Sequence, residues 1–115
     1  MQTQTLRRLD GTIVCERCTV ADNPLRRMKG LLGRDGLESG EGLLLRPASA
    51  VHTYFMRFPI DVVFLDQALV VVEISDGVDP WKATSRRGAK AVLELPAGES
   101  ARRGLAVGDQ LELAA

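Results

Sequence analysis

Residues 49–66, SAVHTYFMRFPIDVVFLD, hold the only histidine and the only tyrosine of the chain, set directly before its most apolar run. Strand periodicity over 49–56 sends Val51, Thr53 and Phe55 to one side and His52, Tyr54 and Met56 to the other. One side has the composition of core; the other carries an imidazole, a phenol and a thioether. Arg57, Phe58 and Pro59 interrupt the pattern, because proline lacks a ladder donor and biases the residue before it toward extended conformations. After this tight connection, residues 60–65 are β-branched, aliphatic or aromatic throughout, apart from Asp61. A strand covered on both faces has that composition, which places 60–65 at the centre of a sheet.

The flanks extend the same pattern. Residues 69–74, LVVVEI, read as a strand, and Asp66, Gln67 and Ala68 leave only enough chain for a hairpin, so the two runs pair antiparallel. Residues 75–90, SDGVDPWKATSRRGAK, lack periodicity and hold the sole tryptophan, Trp81; loops of this length in compact domains are commonly functional or disordered. Then come a strand at 91–95, a short helix or helical turn at 98–104, and a last strand at 110–113 entered through Gly108 and Asp109. On the other side, 42–46 is a short strand ended by Pro47, and 12–20, TIVCERCTV, has strand composition with Cys15 and Cys18 on opposite parities. Between them Asn23 as N-cap and Pro24 at the first helical position open a helix to Leu32, with Gly33 as its stop. Residues 1–10 read as a flexible N-terminus and 11–115 as a single domain. The fold class is α+β, mainly β: a mostly antiparallel sheet or partly open barrel with two short helices.

At 115 residues the chain is long enough for a core without metal or disulfide staples. Its 15 basic and 15 acidic residues cancel, so no overall field argues for a nucleic-acid partner. The start, MQTQTLRRLDG, has no apolar signal-like segment, and no run approaches the ~20 apolar residues of a membrane helix. The expectation is a soluble, cytoplasmic protein without a membrane partner.

Taken in order, RRMKGLLGRDGL, GLLLRP, VHTYFMRFPIDVVFLD, AVLELPAG and GLAVGDQLEL resemble the bacterial and archaeal family called domain of unknown function 192, over residues 12–113. The resemblance implies a mainly β fold and brings no established activity. Many members of that family carry an export signal, which this start does not resemble.

The chemistry-bearing residues admit two readings each. Cys15 and Cys18 form a C-x-x-C, yet three steps along a regular strand put two thiols on opposite sides, roughly 10 Å apart at about 3.3 Å per residue. Without a second Cys pair or a His cluster, no metal site and no cofactor is predicted. His52 with Tyr54 and Met56 makes either a small polar pocket or a satisfied histidine beside gap-filling core. Asp61, set among apolar neighbours, needs a partner, and Arg57 or Arg34 is the expected one, either as a structural salt bridge or as part of an anion- or amide-recognising site. Glu94 inside AVLEL calls for an arginine in the same way. Trp81 is a lid or an anchor for its loop. No P-loop, dinucleotide fingerprint or nucleophile elbow is present, and no catalytic residue is assignable. The preferred reading is a ligand-binding domain with its site at His52, Tyr54, Met56, Arg57 and Asp61, with Arg34 nearby and Trp81 at the rim. The alternatives are an enzyme using His52 and Asp61 as acid and base, or a module that binds a protein partner.

Overall fold

The computed structural model describes residues 3–23 and 34–114. Along them run nine strands: β1 (Thr3–Arg8), β2 (Ile13–Ala21), β3 (Glu41–Leu45), β4 (Ala50–His52), β5 (Ile60–Leu65), β6 (Val71–Val78), β7 (Ala83–Ser85), β8 (Ala91–Pro96) and β9 (Leu111–Ala114). One helical turn, α1 (Glu99–Arg102), lies between the last two. Seven strands form a sheet in the order β6-β5-β8-β3-β2-β1-β9, while β4 and β7 make a separate two-stranded ribbon. Every pairing is antiparallel except β2 with β3. The sheet curls until Val70 bridges Gln110, without closing into a barrel. This is the mainly β, mostly antiparallel architecture that the strand pattern predicts; the helix expected at 24–32 lies outside the described residues.

β5 and β8 are buried at every position. Val63, Leu65, Leu93 and Leu95 pack with Leu6 and Leu44 on one side, and Ile60, Val62, Phe64 and Val92 with Leu43 and Met56 on the other. Each such side chain contributes about 1.5–3 kcal/mol when fully buried. Burial on both faces does not require a central place, however. β5 sits one strand in from the edge, and β3 holds the middle of the order.

The β5–β6 hairpin is locked by Asp66, whose Oδ1 accepts the Ala68 and Val70 amides at 2.9 Å each. β6 then runs to Val78, and β7 arises a few residues later, so the expected loop over 75–90 is interrupted by strand at both 75–78 and 83–85. Its polar side chains hide the strands, since the ribbon and the end of β6 bury little apolar surface to alternate with. Residues 3–8, read as a flexible end, form β1 between β2 and β9, with Leu6 fully buried. Both partners of β1 supply contacts that no local pattern announces.

β2 also departs from regular alternation. Cys15 faces Leu6 and Cys18 faces Gln4, so three steps along β2 match two along β1, which is a bulge. The bulge turns both thiols into the same core cluster, where both are fully buried and free. The opposite-sides expectation for this pair is therefore corrected. A hydrogen bond with Cys15, reinforced by burial, pushes the Cys18 thiol up, and Cys15 Sγ donates to the Gly40 carbonyl at 3.3 Å. Gly42 makes room for this arrangement, because a Cβ there would stand 2.8 Å from Cys15 Sγ.

Candidate functional site

β4 ends at His52 because Thr53 is drawn into the protein. The Thr53 amide donates to the Lys82 carbonyl at 2.8 Å, and the Thr53 carbonyl accepts from Met56 at 3.2 Å and from Trp81 at 2.9 Å. Its hydroxyl donates to the Asp79 carbonyl at 2.6 Å and accepts the Lys82 amide at 2.9 Å. Only 1% of Thr53 is exposed. One small residue thus fastens the 79–82 turn to the end of β4.

Around this clamp the backbone turns sharply. Phe55 and Trp81 adopt φ values of 66° and 67°, in the left-handed region that costs a non-glycine residue ~1–2 kcal/mol. The turns drive the rings outward, leaving Tyr54 40%, Phe55 70% and Trp81 59% exposed. There the rings find one another. His52 stacks on Tyr54 with centroids 4.8 Å apart and planes at 25°, and Tyr54 on Trp81 at 6.0 Å and 27°. Phe55 meets Trp81 at 4.6 Å, tilted by 59°. Aromatic pairs of this kind contribute ~0.5–1.5 kcal/mol beyond area burial, so the stack orders itself in solvent.

A groove of about 670 Å³ runs along the ribbon beside the stack, with His52, Tyr54, Thr84 and Ser85 in its walls. Val51 packs toward the core, so strand parity turns Ala50 and His52 outward, together with their cross-strand partners Ser85 and Ala83. Small residues therefore flank the imidazole and leave its surroundings open.

The other residues expected at the site lie elsewhere. Met56 is 7% exposed and belongs to the core. Arg57 pairs with Asp35 on the surface at 2.6 Å, and Arg34 with Glu41 at 3.0 Å. Neither arginine reaches Asp61, whose carboxylate is taken up by the fold. Its Oδ1 accepts the amides of Gly77 at 2.9 Å and Gly98 at 3.1 Å, and its Oδ2 accepts the Ser100 amide at 2.9 Å and hydroxyl at 2.6 Å. Gly98 presents its amide from a φ of 86° that other residues rarely adopt. Burial works to raise the Asp61 pKa, but the Ser100, Gly77 and Gly98 hydrogen bonds prevail and hold the carboxyl below the usual aspartate range. With no exposure, Asp61 ties the end of β6 to the start of α1. Glu94 likewise has no arginine among the described residues; it is buried between Leu43 and Val62 across the sheet, and burial pushes its carboxyl up to about 7.

The structure thus brings His52, Tyr54 and Trp81 together and adds Phe55 and Thr53, which strand periodicity had placed in a core strand. The unusual density of rings in HTYF followed by Trp81 was the available signal; the positive φ values that turn Phe55 outward have none in the sequence. Among the described residues no three His, Cys, Asp or Glu side chains converge on a metal site, and no helix is long and apolar enough to cross a membrane.

A family model described as an uncharacterized ACR, domain of unknown function 192, matches residues 5–113. A UPF0127 protein of Pyrococcus furiosus is 36% identical over 96 residues, covering 80% of this chain and 82% of the relative. One from Pyrococcus abyssi is 32% identical over 100 residues, covering 81% of this chain and 82% of the relative. Among solved structures, a protein of unknown function from Novosphingobium aromaticivorans superposes with a TM-score of 0.81 at 25% identity, over 96% of this chain and 83% of the other. A chain from Sinorhizobium meliloti, whose description suggests a transcription regulator, superposes at 0.84 and 22% identity, over 98% of this chain and 96% of the other; that likeness concerns the fold.

Proposed function

The chain belongs to the domain of unknown function 192 family, and from that premise we propose that it is a small-molecule binding domain whose site is the groove beside the His52–Tyr54–Trp81 stack. One observation carries the reading. Two bulky rings, Phe55 and Trp81, neither of which lines the groove, are held outside the core on left-handed backbone, and through the stack they back Tyr54 in the groove wall. Strain of this sort persists where the surroundings enforce it, and it concentrates at ligand sites. The groove has the size of small-ligand sites, ~300–1,000 Å³. A reducing, cytoplasmic setting goes with this reading, since Cys15 and Cys18 stand as a buried thiol pair.

A soaked fragment library followed by amide chemical shifts of the labelled protein tests the proposal. Perturbations clustering on 50–54 and 81–85 are expected. Clustering instead on the second cavity, about 490 Å³ between Arg46, Asp66 and Lys90, would overturn it.

A further inference from the structure

We infer that the groove takes a neutral carbohydrate; this rests on the binding-site reading above and gives it a ligand class. The first argument is charge. No Asp, Glu, Lys or Arg lines the groove, so an anionic or cationic ligand would lose hydration there without meeting a counter-charge. The second is hydrogen bonding. Among the described residues, the hydroxyls of Tyr54 and Ser85 and the imidazole of His52 make no side-chain hydrogen bond to protein. Thr53 next door, by contrast, has its hydroxyl fully engaged. A purely apolar ligand would leave those three polar groups facing it unpaired, and a hydroxylated one satisfies them.

The third argument is shape. Ala50 and Ala83 keep the outer face of the ribbon low, so the imidazole and phenol rings rise beside a shallow floor. A pyranose ring matches such a wall: its axial hydrogens make an apolar face for a ring, and its hydroxyls radiate from the rim toward the Tyr54 and Ser85 oxygens. The stack continues from Tyr54 to Trp81, which does not line the groove. Trp81 is therefore a reporter of the site and is not required to touch the sugar.

The test is a titration of the intact protein, followed by Trp81 emission and by the His52 imidazole resonances. The probes are four neutral trisaccharides, namely maltotriose, cellotriose, chitotriose and xylotriose, beside adenosine, citrate and tetraalanine. Saturable binding of at least one trisaccharide is expected. It should weaken about tenfold in Ser85→Ala, the loss of one hydrogen bond worth ~1.4 kcal/mol, with the urea midpoint unchanged. It should vanish in Tyr54→Ala. Saturation by adenosine, citrate or the peptide with none by the sugars overturns the carbohydrate assignment and leaves the binding site standing. Silence toward every probe, in a protein whose fragments also fail to gather on 50–54 and 81–85, ends both readings. Sugar binding that survives Tyr54→Ala and Ser85→Ala unchanged overturns the placement in this groove.

Discussion

Phe55 and Trp81 allow the backbone strain beneath the aromatic stack to be weighed directly. Replacing either ring by alanine or by glycine removes the same ring contacts, so the difference between the two variants reports the backbone alone. Glycine relieves a left-handed cost of ~1–2 kcal/mol, but loses ~0.5–1 kcal/mol to its freer unfolded chain. With φ at 66° and 67°, Phe55→Gly and Trp81→Gly are expected to be more stable than Phe55→Ala and Trp81→Ala by about 0.5–1 kcal/mol. At Tyr54, which does not share the positive φ, the order reverses by a similar ~0.5–1 kcal/mol. Equilibrium urea unfolding followed by far-ultraviolet circular dichroism reads this as a midpoint difference of roughly 0.4 M at a slope of ~2 kcal/mol per molar. Alanine equal to or above glycine at both 55 and 81 would refute the strain argument. Leu69 provides the contrast, since its φ of 64° accompanies a side chain packed against the core.

Two carboxyls give pH dependences of opposite sign. Glu94, raised by burial from 4.5 to about 7, holds its proton more tightly folded than unfolded, so it lowers stability as pH climbs through that interval. At ~1.4 kcal/mol per unit this amounts to about 3 kcal/mol, and Glu94→Gln should stabilise by that order at pH 8 while matching the parent near pH 4; equal midpoints at both pH values would contradict it. Asp61, held below the usual range, contributes stability that is present above its unfolded value near ~3.9 and lost as pH falls through the lower folded one. Asp61→Ala strands the Gly77, Gly98 and Ser100 donors, at ~1–3 kcal/mol each. The variant should unfold at lower urea near pH 7, and the gap should narrow below pH 4; a gap that widens in acid would sink the assignment.

How much of this was legible in the sequence depended on how far each feature reaches. Residues 60–65 and 91–95 announced themselves because burial on both faces leaves an unbroken apolar run. The 66–70 turn was legible because residues 66–68 leave only enough chain for a hairpin; its capping by Asp66 is what the structure adds. Leu6 was not, since a single apolar residue among polar ones becomes core only when β9 arrives beside it. The C-x-x-C misled because a bulge shifts parity by one, and nothing in TIVCERCTV encodes the bulge apart from its pairing with β1. At the site, composition pointed to His52, Tyr54 and Trp81 without showing where the strand would stop. The tie between Thr53 and residues 79–82 decides that, and it joins segments 26–29 positions apart. Asp61 drew notice as a buried carboxylate, but its donors are backbone amides, which carry no side-chain signature.

The clasp of β1 between β2 and β9 also bears on how the molecule is made. Arg7 and Glu112, which bond across that pairing, are 105 positions apart, so β1 leaves the ribosome long before β9 and waits for it before both its edges are covered. Until then β1 and β2 form a hairpin with one open flank, the arrangement most prone to recruit a neighbouring chain. Pairings this distant in sequence also slow the search for the native topology. A pause placed just before the codons for 111–114 should therefore lower the soluble fraction even though no residue has changed.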